Sequence, residues 1–155
     1  MKKTFKLNSP TATEECARAL AAELDARGIK RAFVALFGEM GVGKTAFSRG
    51  FASYFGINTV KSPTYTVLNE YRGRCAIHHF DFYRITDEDD LYSIGYDDVV
   101  ESDGYCLGEW SENIETMLPE DAIRVTIKRE RFDTEATEQE LMLRTVEIDY
   151  GELFD

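Results

Sequence analysis

Residues 38–45, Gly38-Glu39-Met40-Gly41-Val42-Gly43-Lys44-Thr45, satisfy the pattern G-x-x-x-x-G-K-[ST] of a phosphate-binding loop. The chemistry follows from the residue types. Glycines let the backbone wind tightly and turn successive N–H groups inward, and the positive end of the helix that follows adds to the same anion cradle. Lys44 reaches the β- and γ-phosphates as a point charge, and Thr45 offers its hydroxyl to Mg2+. Glu39, Met40, Gly41, Val42, Gly43, Lys44, Thr45 and Ala46 are therefore expected to bind a nucleoside triphosphate. No Asn-Lys-x-Asp stands in the chain, which favours ATP over GTP.

Such a loop needs a strand before it and a helix after it. Arg31–Phe37 is an almost continuous apolar run, suited to a central parallel strand buried on both faces. Beyond the loop, Phe47, Phe51, Tyr54 and Phe55 share one helix face, and Gly56 stands where a C-cap belongs. Two acids then close apolar segments. Asp81 follows Ile77 and Phe80 at a strand tip, where a Walker-B acid would hold Mg2+ directly or through water; a solvated aspartate at a strand end fits the same residues. Glu109 ends Tyr105-Cys106-Leu107-Gly108 and can hold the metal or orient an attacking water. Trp110, the single tryptophan, suits core packing or the site equally. His78 and His79 are neighbours and point to opposite faces of a strand. They cannot readily share a metal, so one is expected to pack and the other to hydrogen-bond.

The other segments frame this set. Phe5–Leu7 reads as a short edge strand. Thr11 and Glu14 have capping-box spacing ahead of a helical stripe of Ala12, Cys16, Ala17, Leu20, Ala21 and Leu24, which Gly28 ends. Pro63 keeps Ser62 extended, and residues 65–71 and 75–82 form a hairpin about Arg72-Gly73-Arg74. Asp87, Glu88, Asp89 and Asp90 suit the start of a short helix within 86–94, followed by an irregular or short helical link to Val100. Residues 122–128 and 141–148 alternate as a closing antiparallel pair. The polar stretch 131–140 between them reads as a loop, with Lys128, Arg129 and Arg131 at its start as a solvated hairpin end or, alternatively, a partner contact. Residues 151–155 read as a frayed tail.

These elements give one domain over residues 1–155 with an α/β fold. It is a P-loop NTPase-like three-layer sandwich with a mixed, mostly parallel central sheet and an inserted antiparallel hairpin. The formal charge of −11 repels nucleic acid at long range. No apolar run approaches the roughly 20 residues that span a bilayer, and the basic start soon turns polar, so neither a membrane role nor a signal peptide is expected. Cys16, Cys75 and Cys106 are odd in number and widely spaced, consistent with a reducing cytoplasm.

Four blocks in this order and spacing, Gly-Glu-Met-Gly-Val-Gly-Lys-Thr (38–45), Ser-Pro-Thr-Tyr (62–65), His-Phe-Asp-Phe-Tyr-Arg (79–84) and Gly-Glu-Trp (108–110), resemble the TsaE family, also called YjeE. The resemblance runs from about Thr13 to Trp110. It implies a P-loop ATPase required for N6-threonylcarbamoyladenosine (t6A) at position 37 of tRNAs that read codons starting with A. It also implies action with the TsaD–TsaB pair, which transfers the threonylcarbamoyl group while ATP hydrolysis resets the complex between turnovers. On this basis Lys44 and Thr45 serve phosphate and Mg2+, and Asp81 is the Walker-B-like metal acid. Glu109 is a second metal-side or catalytic acid, Trp110 lies beside the nucleotide, and Ser62 and Thr64 sit in a switch-like loop near the γ-phosphate. Any tRNA contact is expected to be indirect or local, given the charge. Ser111 departs from the proline that often follows Glu-Trp in the family, which puts the local turn in question. Arg84 is the nearest arginine by motif, so slow, partner-dependent hydrolysis is expected. Two other readings compete: a small-molecule or nucleotide kinase, for which an arginine-rich lid is missing, and an ATP-sensing module that does not hydrolyse.

Overall fold

Runs of apolar residues that must be covered on both sides set the architecture. The computed structural model describes residues 1–61, 66–130 and 134–153. In chain order the elements are β1 (Lys2–Leu7), α1 (Pro10–Ala26), β2 (Arg31–Phe37), α2 (Lys44–Tyr54), β3 (Leu68–Arg72), β4 (Ala76–Asp81), α3 (Glu88–Ser93), α4 (Tyr96–Glu101), β5 (Gly104–Glu109), a 3-10 segment (Ser111–Met117), β6 (Ile123–Arg129), α5 (Glu138–Leu141) and β7 (Arg144–Asp149). The strands form one sheet in the order β1-β7-β6-β2-β5-β4-β3.

The four middle strands, β6, β2, β5 and β4, run parallel. The expected hairpin is present: β3 pairs antiparallel with β4, Leu68 opposite Phe80 and Arg72 opposite Ala76. The closing pair β6–β7 is antiparallel, as is β7–β1. The mixed three-layer α/β arrangement expected from the sequence is thus the observed one. Its parallel core is bordered by antiparallel strands at both edges.

Each face of the sheet has its own core. On one side α1 and α2 pack Leu20, Leu24, Phe47 and Phe51 against Val34, Leu36, Ile77 and Leu107. On the other, Phe33, Phe80, Phe82 and Tyr96 form an aromatic cluster. Phe47, Phe51, Phe80 and Phe82 are fully buried. Each contributes about 1.5–3 kcal/mol of transfer free energy. Among the described residues, no helix is long and apolar enough to cross a membrane.

Several local expectations change. Ser9, not Thr11, caps α1: its hydroxyl accepts from Ala12 N at 3.0 Å, and Pro10 takes the first helical position. Proline suits that position because its fixed φ is helical and its missing N–H would have gone unpaired. The stretch 131–140 is not all loop. Thr137 and Glu140 make a reciprocal capping box that starts the one-turn α5, so β7 begins at Arg144 instead of Leu141. The tail is tied down as far as Leu153: Tyr150 N donates to Met1 O at 2.9 Å, and Leu153 packs on the core. Residues 62–65 and 131–133, which include Ser62, Thr64 and Arg131, and the last two residues lie outside the described residues.

The contact between α1 and α2, which sets where the phosphate-loop helix lies, is close enough to require glycine. A Cβ on Gly50 would sit 2.2 Å from Glu14 O. Gly50→Ala is therefore expected to destabilise the protein by about 1–3 kcal/mol through overpacking, lowering the thermal midpoint by several degrees. An unchanged midpoint would contradict this packing.

Candidate functional site

Three parallel strands deliver their carboxyl ends to one edge of the sheet. β2 delivers the loop 38–45, β4 delivers Asp81 and β5 delivers Glu109, with Asp81 and Glu109 directly opposite in register. Ligand crevices of open α/β sheets form at such edges. Gly38, Gly41 and Gly43 have φ of 148°, 75° and 124°, conformations that only glycine adopts cheaply. Gly43 starts α2 without any side-chain cap, and the first bond into the helix runs from Phe47 N to Gly43 O at 2.9 Å. The amides of Lys44, Thr45 and Ala46 therefore stand at the open, positive end of an eleven-residue helix.

Lys44 is buried, with its ammonium donating to Gly38 O and lying 3.5 Å from the centroid of the Trp110 ring. Burial lowers its pKa, opposed by the charges of Glu112, Glu109 and Asp81. Among the described residues no carboxylate forms an ion pair with it. A buried ammonium held only by a carbonyl and an aromatic face has the chemistry to pair with an anion.

Glu109 lies beneath the cleft, 5 % exposed. Its Oε1 accepts from the Thr45 hydroxyl at 2.9 Å, and its Oε2 faces Ser48 Oγ at 3.4 Å and His79 Nε2. Because a carboxylate only accepts, the bond to His79 assigns the proton to Nε2. This leaves His79 Nδ1 buried without a hydrogen-bond partner among the described residues. Ser48 also donates to Lys44 O at 3.1 Å, so its single proton is shared. The Thr45 proton is committed to Glu109, which leaves the oxygen lone pairs of Thr45 for a cation.

Above this network lies a cleft of about 540 Å3, lined by Met40, Gly41, Gly43, Lys44, Thr45, Ala46, Thr66, Val67, Asp81, Tyr83, Arg84, Glu109 and Trp110. Trp110 has φ 60° and is the only non-glycine residue at positive φ among the described residues. Its ring meets the Lys44 ammonium and also the Tyr83 ring, whose centroid is 5.1 Å away. The Ser111 hydroxyl, where the resemblance leads one to expect proline, donates to Gly108 O at 2.7 Å and ties the turn that presents Trp110. Asp81 is half-buried and accepts from Tyr83 N at 3.0 Å.

Of the residues expected from the sequence, Met40, Gly41, Gly43, Lys44, Thr45, Ala46, Asp81, Glu109 and Trp110 meet at this cleft. Glu39 is exposed and accepts from Val42 N, while the Val42 side chain enters the core behind the loop. Of the two histidines, one of which is expected to hydrogen-bond, His79 is the one that joins the site, and Ser48 and Glu112 are additions to the residues expected from the sequence; the Glu112 carboxylate accepts from Gly38 N at 3.1 Å. Two signals for them stood in the sequence. His79 is two residues before Asp81, hence on the same strand face, and Ser48 is three residues after Thr45, hence on the same side of a helix. His78 faces the other way, near Asp103 O and Ser102 Oγ.

The donor set suits Mg2+. Thr45 and Asp81 are hard oxygen donors beside an anion cradle, and Mg2+ completes its shell with phosphate oxygens and water rather than an all-protein cage. No cluster of three or more His, Cys, Asp or Glu residues arranged for a metal occurs among the described residues.

A family model described as threonylcarbamoyl adenosine biosynthesis protein TsaE matches residues 7–139. The tRNA threonylcarbamoyladenosine biosynthesis protein TsaE of Bacillus subtilis is 42 % identical over 96 residues, covering 61 % of this chain and 60 % of that protein. Its counterpart in Haemophilus influenzae is 44 % identical over 101 residues, 63 % of each chain. The match thus spans less than two thirds of the length of these two relatives. The Rickettsia bellii protein of the same name is 39 % identical over 125 residues, covering 79 % of this chain and 83 % of that protein. Among solved structures, the crystal structure of Bacillus subtilis YdiB superposes with a TM-score of 0.71 at 27 % identity, covering 99 % of this chain and 89 % of that one.

Burial raises the Asp81 carboxyl above its ordinary pKa; the Tyr83 N–H bond opposes the shift and the Glu109 charge adds to it. Ionisation therefore costs stability in the folded protein as the pH rises above the ordinary carboxylate value, and the cost is complete above the raised one. Asp81→Asn removes this cost. The variant is expected to melt above the wild type at pH 7, with the gap narrowing as the pH falls through the raised value and gone below about 4, the ordinary carboxylate value. A variant that melts lower at pH 7 would contradict this balance.

Proposed function

Because the chain belongs to the TsaE family of threonylcarbamoyl adenosine biosynthesis proteins, we propose that it is a Mg2+-dependent ATPase serving t6A formation in tRNA. On this reading it acts with a TsaD–TsaB pair and resets that complex between turnovers. The observation that carries the ATPase reading is the buried Lys44 ammonium. It has no carboxylate partner among the described residues, and it lies at the open end of α2 on the sheet edge that also bears Asp81 and Glu109.

In this reading the amides of the loop and of the first turn of α2 bind the phosphates, and Lys44 leaves the Gly38 carbonyl to meet them. Thr45 and Asp81 would hold Mg2+, which when bound neutralises charge shared by the β- and γ-phosphates. Asp81 faces the cleft, whereas Glu109 lies under it and acts through Thr45, by holding the hydroxyl proton and so directing the oxygen. Trp110 covers Lys44 and keeps water from it. Arg84 is exposed at the cleft wall. An arginine that docks late, whether Arg84 or one from a partner, is worth about 10³–10⁵ in rate, so slow turnover is expected of the chain alone.

The test is Mg2+-dependent ATP hydrolysis by the purified chain, alone and with a TsaD–TsaB pair. Slow turnover alone and a strong increase with the pair are expected; fast turnover that ignores the pair would overturn the partner-completed site. Glu109→Ala should lower the partner-linked rate by about 10–100-fold, the usual loss when a group that orients a metal's ligand is removed. A wild-type rate in that variant would remove Glu109 from the machinery.

A further inference from the structure

Arg129 and Arg144 stand directly opposite one another across β6 and β7. Like charges opposed in an antiparallel pair are destabilising, so strand pairing gives no reason for this arrangement. The head groups do. Arg129 Nη2 donates to Met40 O at 3.2 Å, and Arg144 Nε donates to Val42 O at 2.9 Å. Both acceptors belong to the loop 38–45. Arg144 Nη1 also donates to Leu141 O at 2.7 Å and Leu143 O at 2.9 Å, which fixes the guanidinium against its own hairpin. Arg129 approaches so closely that a Cβ on Gly41 would lie 2.9 Å from its Nη2.

A trans peptide unit is planar, with its C=O and N–H pointing in opposite directions, and no cis bond occurs among the described residues. Holding the Met40 carbonyl outward therefore holds the Gly41 N–H inward, and holding the Val42 carbonyl outward does the same for the Gly43 N–H. Gly41 and Gly43 both line the cleft. We propose that Arg129 and Arg144 are positioning residues for phosphate recognition, pinned to the outer carbonyls of the loop so that the Gly41 and Gly43 amides face the cleft before nucleotide arrives. The proposal rests on the ATP-binding reading above. It adds the C-terminal hairpin to the cradle; Arg144 lies beyond the residues 7–139 that the family model matches.

The test combines hydrogen–deuterium exchange of residues 38–45 in the nucleotide-free protein with titration of ADP in the presence of Mg2+. Arg144→Ala should weaken ADP binding about tenfold and Arg129→Ala, whose side chain is exposed, about threefold, as expected for lost charge-assisted bonds. Arg144→Lys, which keeps the charge and one donor, should fall between wild type and Arg144→Ala. All three should exchange faster over 38–45. Lys128→Ala removes the same charge from an exposed neighbour and should change neither readout. If Arg144→Ala fails to fold, Arg129→Ala and Arg144→Lys carry the test. Wild-type ADP affinity and exchange in those two variants would overturn the proposal, as would a Lys128→Ala effect equal to that of Arg129→Ala. Failure of the wild type to bind ADP would instead sink the ATP-binding reading, and exchange in the nucleotide-free protein would still decide whether the arginines pin the loop.

Discussion

A carboxylate as buried as that of Glu109 persists only if donors surround it, and its donors come from two other elements. Thr45 and Ser48 are on α2, His79 is on β4, and Glu109 itself ends β5. One acid thereby ties the helix behind the phosphate loop to two neighbouring strand ends. It also orders the chemistry by depth. Asp81, one strand away and half-buried, remains at the cleft surface, while Glu109 commits the Thr45 proton from below. Two acids that look alike as strand-terminal residues in the sequence thus have different surroundings, and the proposed division of labour between them follows from those surroundings.

The loop is constrained from both sides. On its inner side the open end of α2, Lys44 and the Trp110 ring line the cleft, with Asp81 and Glu109 beside them. On its outer side the carbonyls of Met40 and Val42 accept from the C-terminal hairpin. On the proposed reading, these are what would let a chain with a net charge of −11 hold an anion. The attraction acts at contact range, from amides and one buried ammonium, and owes nothing to the long-range field.

What could be read from the sequence was what depends on short spacing. The loop, its strand and its helix follow from a contiguous pattern, and Asp81 and Glu109 were visible as acids closing apolar runs. Errors arose where two local signals competed: Thr11 and Glu14 have capping-box spacing, but Ser9 followed by Pro10 gives the better helix start. What could not be read depended on register. The bond between His79 and Glu109 exists because β4 and β5 pair Asp81 with Glu109, and the opposition of Arg129 to Arg144 exists because of how β6 meets β7. Neither pairing is written in the spacing of either strand alone. Arg129 accordingly read as a solvated hairpin end, and the hairpin as no part of the site.

Whether the loop 38–45 binds nucleotide phosphate through Lys44 is decided by thermal denaturation with and without Mg2+-ATP. At ATP concentrations near 100 times the dissociation constant, the wild type should gain roughly 2.7 kcal/mol of stability, and Lys44→Ala should gain none. An equal ATP-induced shift in Lys44→Ala would contradict the account, because the cradle described here would then not be the site.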